Sequence, residues 1–208
     1  LGYTGGKLLD NDRKDNGHNF IEQAKEKAQY YYKRGGIYNK KEFFNEAIEE
    51  LTKAIDLDSE NAMYYCKRGI AFGEIGDLEN AISDFNMAIN IDDECGSAYN
   101  NRGVVYHLQE RLDEAIHNYN LAITFNPMEP LFFLNRAMVY FDQAKYAEAL
   151  ADSSVAIKFD SKYAEGYALR GEIFDELQCK PKALKDFEMA VSLNPNDILS
   201  YASYCLLK

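Results

Sequence analysis

Five arginines recur at intervals of 34 residues: Arg34, Arg68, Arg102, Arg136 and Arg170. Each is followed by a small residue, Gly35, Gly69, Gly103, Ala137 and Gly171. Three residues before each stands an aromatic (Tyr31, Tyr65, Tyr99, Phe133, Tyr167), and four after it another (Tyr38, Phe72, Tyr106, Tyr140, Phe174). A second set follows in the same register: Ala47, Ala81, Ala115, Ala149 and Ala183, then Ala54, Ala88, Ala122, Ala156 and Ala190. No insertion interrupts five copies. Residues three and four apart share one face of a helix, so each copy reads as two amphipathic helices joined by a turn. A unit this short cannot bury its apolar face alone, and stacking against identical neighbours is the way it does so.

An aromatic, a Gly, a second aromatic, then Ala, an aromatic and Ala within 34 residues resembles the tetratricopeptide repeat. The family's closing proline is present as Pro127 and Pro195 and is replaced by Ser59, Asp93 and Ser161 elsewhere. The resemblance covers Ala28 to about Asp197. It implies an all-α, right-handed solenoid of five helix pairs, and a non-enzymatic module for protein–protein interaction. The repeats are expected at residues 28–61, 62–95, 96–129, 130–163 and 164–197. They form a domain over 20–197, with a polar tail at 1–19 and a capping or sixth leading helix at 198–208.

Two features of the period carry structural expectations. Gly in a helix interior is less favourable than Ala by about 1 kcal/mol. Its repetition predicts close helix approach, with each Gly backbone against Ala47, Ala81, Ala115 or Ala183. The arginines need partners if they are half-buried. Sixteen residues on stand Glu50, Asp84, Asn118, Asp152 and Asp186, so a repeated Arg–carboxylate strut is expected within each pair. The fourth repeat has Ser153 where its neighbours have Leu51, Phe85, Tyr119 and Phe187; Phe132 or Phe159 is expected to fill the space.

The net charge of −11 argues against general nucleic-acid affinity, which needs cations to displace counterions from phosphate. It argues equally against an anionic membrane surface. No apolar run approaches the roughly 20 residues of a membrane span, and no signal segment opens the chain. Cys66, Cys95, Cys179 and Cys205 form no C-x-x-C pair and have no histidine at zinc-like spacing, so free thiols, no metal and no cofactor are expected. Free thiols favour a reducing, cytoplasmic location.

Leu1 to Asn19 is polar and Gly-rich and carries no helical period; Tyr3 to Leu9 is expected to lie against the solenoid of its own or a neighbouring molecule. A long first helix is expected from Phe20 to about Asn39. Pro130 and Pro181 suit first turns, and Asp77 and Asp113 suit caps or first turns. The last helix ends Tyr204-Cys205-Leu206-Leu207, an apolar run expected to be covered by further chain or by a second copy, which makes homodimerisation the alternative role.

Catalysis finds no support. His18, His107 and His117 do not cluster, and neither a phosphate loop nor a nucleophile elbow is present. The resemblance places the binding surface on the inner wall lined by leading helices. Its strip reads Lys33, Lys67, Asn101, Asn135, Leu169, with Tyr32, Cys66, Asn100, Leu134, Ala168 one residue earlier. The character runs from basic in the first two repeats, through amide-rich and apolar, to acidic in the fifth at Glu165, Glu172, Asp175 and Glu176. The expected peptide groove comprises Lys33, Lys67, Asn100, Asn101, His107, Leu131, Leu134, Asn135, Met138, Phe141 and Glu172. Asn101 and Asn135 offer donors and acceptors to a peptide backbone. Leu131, Leu134, Met138 and Phe141 take an apolar anchor, and a basic ligand end prefers the fifth repeat. Some members of the family clamp acidic chaperone tails with Lys and Asn on one leading helix, Asn on the next and Lys and Arg on a third. With Asn101 or Asn135 in the middle place, the matching positions one repeat earlier hold Cys66 and Ile70 or Asn100 and Val104, those one repeat later hold Leu131 and Asn135 or Glu165 and Leu169, and the clamp is absent in either frame.

Overall fold

The computed structural model describes the backbone of residues 6–208 and the side chains of residues 20–208. Among the described residues all regular structure is helical: α1 (Gly6–Lys40), α2 (Phe44–Leu57), α3 (Ala62–Glu74), α4 (Leu78–Ile91), α5 (Gly96–Leu108), α6 (Leu112–Phe125), α7 (Pro130–Asp142), α8 (Tyr146–Phe159), α9 (Ala164–Glu176), α10 (Lys180–Leu193) and α11 (Ile198–Leu207). The all-α helix-pair architecture expected from the period is the one observed. The chain divides into two compact units, Leu1–Cys95 and Gly96–Lys208. In the first, α1 packs on α2, α3 on α4, α2 on α3, and the leading helices α1 and α3 touch. In the second, α5–α6, α7–α8 and α9–α10 are pairs, α6, α8 and α10 pack on the next leading helix, and α5, α7 and α9 meet in sequence.

The first helix differs from expectation. It starts at Gly6 rather than Phe20 and continues through Gly35–Gly36 to Lys40. Helix propagation adds one hydrogen bond per residue, so a helix anchored by packing can extend through a polar stretch that has no face to bury. The expected contact of Tyr3–Leu9 lies outside the described residues.

The turn within each pair has one backbone solution. Glu42, Gly76, Glu110, Ala144 and Gln178, again 34 residues apart, all have positive φ, between 55° and 79°. The next residue's N–H returns to a carbonyl five back: Asp77 to Phe72 at 2.9 Å, Arg111 to Tyr106 at 2.9 Å, Lys145 to Tyr140 at 2.8 Å. This left-handed cap satisfies carbonyls at the helix end. Only Gly76 reaches it without a Cβ penalty. At helix starts, Asn61, Asp77 and Asp197 accept from N–H groups of their first turns, and Pro130 opens α7.

The glycines meet the ring or branched side chain one turn beyond the expected alanine. A Cβ at Gly69 would lie 2.8 Å from the Phe85 ring, at Gly103 2.8 Å from Tyr119, and at Gly171 2.9 Å from Phe187. At Gly35 it would lie 2.6 Å from Leu51 Cγ. The alanines remain fully buried beside them. The fourth pair resolves the same packing in reverse: Ala137 has its Cβ because its counterpart Ser153 is small, and both are fully buried. Neither Phe132 nor Phe159 completes that cluster. Ile173 from α9 does, packing with Ala137, Ala149 and Ala156, where the preceding pair has the smaller Val139 against Tyr119.

The arginine strut is present. Arg68, Arg136 and Arg170 each grip the carboxylate sixteen residues on with two parallel bonds of 2.7–2.9 Å, to Asp84, Asp152 and Asp186. Arg34 lies 3.3 Å from Glu50, and Arg102 donates to Asn118 at 2.9 Å. Each guanidinium also lies on flanking rings; Arg68 is 5.7 Å from the Tyr65 centroid and 5.8 Å from Phe72. The fork matches carboxylate and the plane matches the ring, so Lys cannot replace it. The Asp84 bond holds the Arg68 guanidinium above its usual pKa, against the opposing effect of burial.

Candidate functional site: two clefts on leading helices

In the first unit, α1 and α3 enclose an open cleft of about 550 Å³. Lys33, Lys40 and Lys67 line it with Tyr32, Asn39 and Ile70. The structure therefore brings the expected Lys33 and Lys67 together, and adds Lys40 and Ile37, which the repeat strip does not include. Asn39 donates its amide to the Lys67 carbonyl at 3.0 Å, while its Oδ1 is buried without a hydrogen-bond partner. Behind the cleft Tyr32 tilts against Tyr64 at 5.1 Å. Cys66 and Cys95 lie beneath with sulfurs 3.9 Å apart. The Cys95 contact, followed by burial, pushes the Cys66 thiol far up, so it stays protonated. Among the described residues no disulfide joins the four cysteines.

In the second unit the asparagines form a chain of amides. Asn135 Nδ2 donates to Asn100 Oδ1 at 2.9 Å, and Asn100 Nδ2 donates to Asn101 Oδ1 at 3.3 Å. Asn100 is 2% exposed and serves as the buried link. Both ends of its amide are engaged within this chain. Asn101 and Asn135 are half-buried. Asn101 Nδ2 and Asn135 Oδ1 take no part in this chain, which offers a peptide one donor and one acceptor. About two turns along, His107 Nε2 lies 2.6 Å from Asp142 Oδ2.

Beside this chain, α7, α9 and the start of α11 enclose a cleft of about 490 Å³. Leu131, Leu134 and Met138 reach it from α7; Glu165, Ala168, Leu169 and Glu172 reach it from α9. The expected apolar anchor and acidic end thus meet in one cavity. Phe141 is elsewhere: its ring tilts against Tyr146 at 5.8 Å, packed on the core cluster. Tyr163, Asp197 and Leu199 also line the cleft. The repeat strip misses them because they lie on the α8–α9 connection and at the start of α11, outside the leading-helix face. The capping position of Asp197 was the available signal.

The cleft penalises negative charge. Burial, then the nearby Asp197, pushes the Glu172 carboxyl above its ordinary value, although the residue as a whole remains exposed. Burial first, then the charges of Glu165, Glu129 and Asp160, pushes the Tyr163 phenol up to about 12. Asp197 goes the other way, held low by the Ser200 hydroxyl and the N–H groups of its cap.

Among the described residues no group of histidine, cysteine and carboxylate side chains could hold a metal ion, and no helix is long and apolar enough to cross a membrane. On α11, Ile198, Leu199, Tyr201 and Leu206 are 80%, 77%, 55% and 87% exposed in the single chain.

Stacked helical hairpins with a 34-residue period define a repeat scaffold. The chain is a tetratricopeptide-repeat protein: models of the tetratricopeptide repeat match residues 62–95 and 96–128, and a TPR repeat model matches residues 35–76. No curated protein matches it. Among solved structures it is similar to pilF of Pseudomonas aeruginosa, with a TM-score of 0.80 and 18% identity over 89% of this chain and 84% of that one. It is also similar to YrrB, described as a TPR protein with an unusual peptide-binding site, with a TM-score of 0.63 and 21% identity over 88% and 94% of the two chains. A third is the first TPR domain of Spaghetti (RPAP3), bound to the HSP90 peptide SRMEEVD: TM-score 0.54, 29% identity, 56% of this chain and 92% of that one.

Proposed function

We propose that this protein is a non-enzymatic interaction module that holds a peptide or protein segment on its leading helices. The observation that carries the reading is the Asn101–Asn100–Asn135 amide chain beside the α7/α9 cleft. A row of fixed amides next to an apolar cavity supplies sequence-independent backbone contacts and one side-chain anchor, the two parts that peptide recognition needs. Peptide binding by YrrB and by the RPAP3 domain supports the class of role. Selection from a displayed nonapeptide library, followed by affinity measurement on Leu131→Ser/Met138→Ser, tests it. Both side chains are more than 40% exposed, so the fold should survive. Selected peptides are expected to weaken at least tenfold; unchanged affinity moves the site off these helices.

The exposed face of α11 favours a second reading, self-association through that helix. A dimer in sedimentation that Ile198→Glu/Leu206→Glu dissociates would support it, and a monomer at all concentrations would end it.

A further inference from the structure

We infer that the α7/α9 cleft selects a basic segment, one carrying two Lys or Arg side chains three residues apart in polyproline II conformation with an apolar residue between them. The inference rests on the peptide-binding reading above and adds the chemistry of the ligand. The cleft faces two helical stripes against each other. On α7, Leu131, Leu134 and Met138 stand at spacings of three and four and form an apolar wall. On α9, Glu165, Leu169 and Glu172 stand at spacings of four and three, placing a carboxylate at each end of a buried leucine. Asp197 adds a third carboxylate from the start of α11, and among the described residues neither Lys nor Arg lines the cavity.

Each part of this arrangement calls for a long cationic side chain. Lys and Arg lay an aliphatic stem on apolar surface and keep the charged head at the edge. Here the stem meets Leu134, Leu169 and Met138, and the head meets a glutamate. An acidic side chain would add negative charge to a cleft that already resists ionisation, as the raised Glu172 and Tyr163 show. Glu165 and Glu172 are seven residues apart, roughly 10.5 Å along the helix. A polyproline II segment repeats every three residues and rises about 3.1 Å per residue, so side chains three residues apart point the same way and stand about 9.3 Å apart, close enough for two long cationic side chains to reach both carboxylates. The protein's own net charge of −11 favours approach of a cation over long range.

The test uses the full chain and two fluorescein-labelled peptides, acetyl-Arg-Leu-Pro-Arg-Gly-Tyr-amide and its twin with Glu for both Arg, measured by anisotropy at 50 and 300 mM salt. The Arg peptide is expected to bind at least tenfold tighter than the Glu peptide and to weaken several-fold at high salt. Glu165→Gln/Glu172→Gln, on exposed carboxylates, should remove most of that preference. Equal binding of both peptides, or a preference that survives the double substitution, overturns the inference. If the Glu peptide binds and loses affinity on Leu131→Ser/Met138→Ser, the peptide-binding reading stands and the charge rule falls. If neither peptide binds and library selection returns none, both fall. If free arginine competes as well as the peptide, the occupant is a small cation, and the inference of a segment is overturned.

Discussion

Two neighbouring glycines on α1 should respond to the same substitution with opposite signs. Gly35 and Gly36 are both interior residues of a helix that ends at Lys40. Replacing either by Ala reduces the entropy lost on folding and stabilises by about 0.5–1 kcal/mol. At Gly36 nothing lies within 4 Å of the new Cβ, so that gain stands alone. At Gly35 the Cβ arrives 2.6 Å from Leu51 Cγ and 3.3 Å from the Ala47 carbonyl oxygen. Leu51 is fully buried, and the carbonyl is backbone, so neither yields freely. Overpacking of this kind costs about 1–3 kcal/mol, which exceeds the backbone gain. The expected net is a loss near 1 kcal/mol for Gly35→Ala against a gain of about 0.5–1 kcal/mol for Gly36→Ala. In a chain of this length 1 kcal/mol moves Tm by about 2–4 °C. Thermal and urea unfolding followed by circular dichroism suffice, because both residues sit in one helix pair and share its cooperative unit. Equal stabilisation by both substitutions would refute close approach as the reason for the repeated glycine.

The left-handed turns predict Ala144→Gly stabilising by about 1 kcal/mol and Gly76→Ala destabilising by a similar amount, read from urea midpoints at constant m. Asp84→Ala leaves the Arg68 guanidinium, 18% exposed, without its carboxylate and should cost about 2–3 kcal/mol; Arg136→Lys keeps the charge but not the fork and should cost about 1 kcal/mol. Glu172 gives a pH prediction with two signs. Its carboxyl is held high by burial and by Asp197, so ionising it opposes folding. Its contribution to stability is full at low pH and declines as pH rises through the raised value. Glu172→Gln should therefore raise Tm at neutral pH and leave it unchanged at pH 4. A basic peptide needs the ionised form, so its affinity should fall from pH 7 to pH 5, with the low-lying Asp197 keeping a remainder; a pH-independent affinity would exclude Glu172 from the site.

The 34-residue period was sufficient for the helix pairs, their turns and the Arg–carboxylate strut, because each depends on residues that recur at fixed spacing within one unit. Asp84, Asp152 and Asp186 were found by counting sixteen residues from an arginine. Where a position departs from the period, tertiary packing decided. Around the small pair Ala137 and Ser153 no local rule named the packing partner, and Ile173 from the next hairpin joins the cluster of Ala137, Ala149 and Ala156. The glycine's contact shifted from alanine to the ring one turn on, since ridge and groove positions follow from how two helices lie together. The binding surface divides in the same way. Lys33, Lys67, Leu131, Leu134, Met138 and Glu172 were legible as a strip on leading helices. Asn100 becoming a buried link, Phe141 turning into the core, and Tyr163, Asp197 and Leu199 closing the cleft were not. Those outcomes depend on which side chains from separate elements compete for one volume and one set of hydrogen bonds, and residues far apart in the chain settle that competition only once the hairpins have stacked.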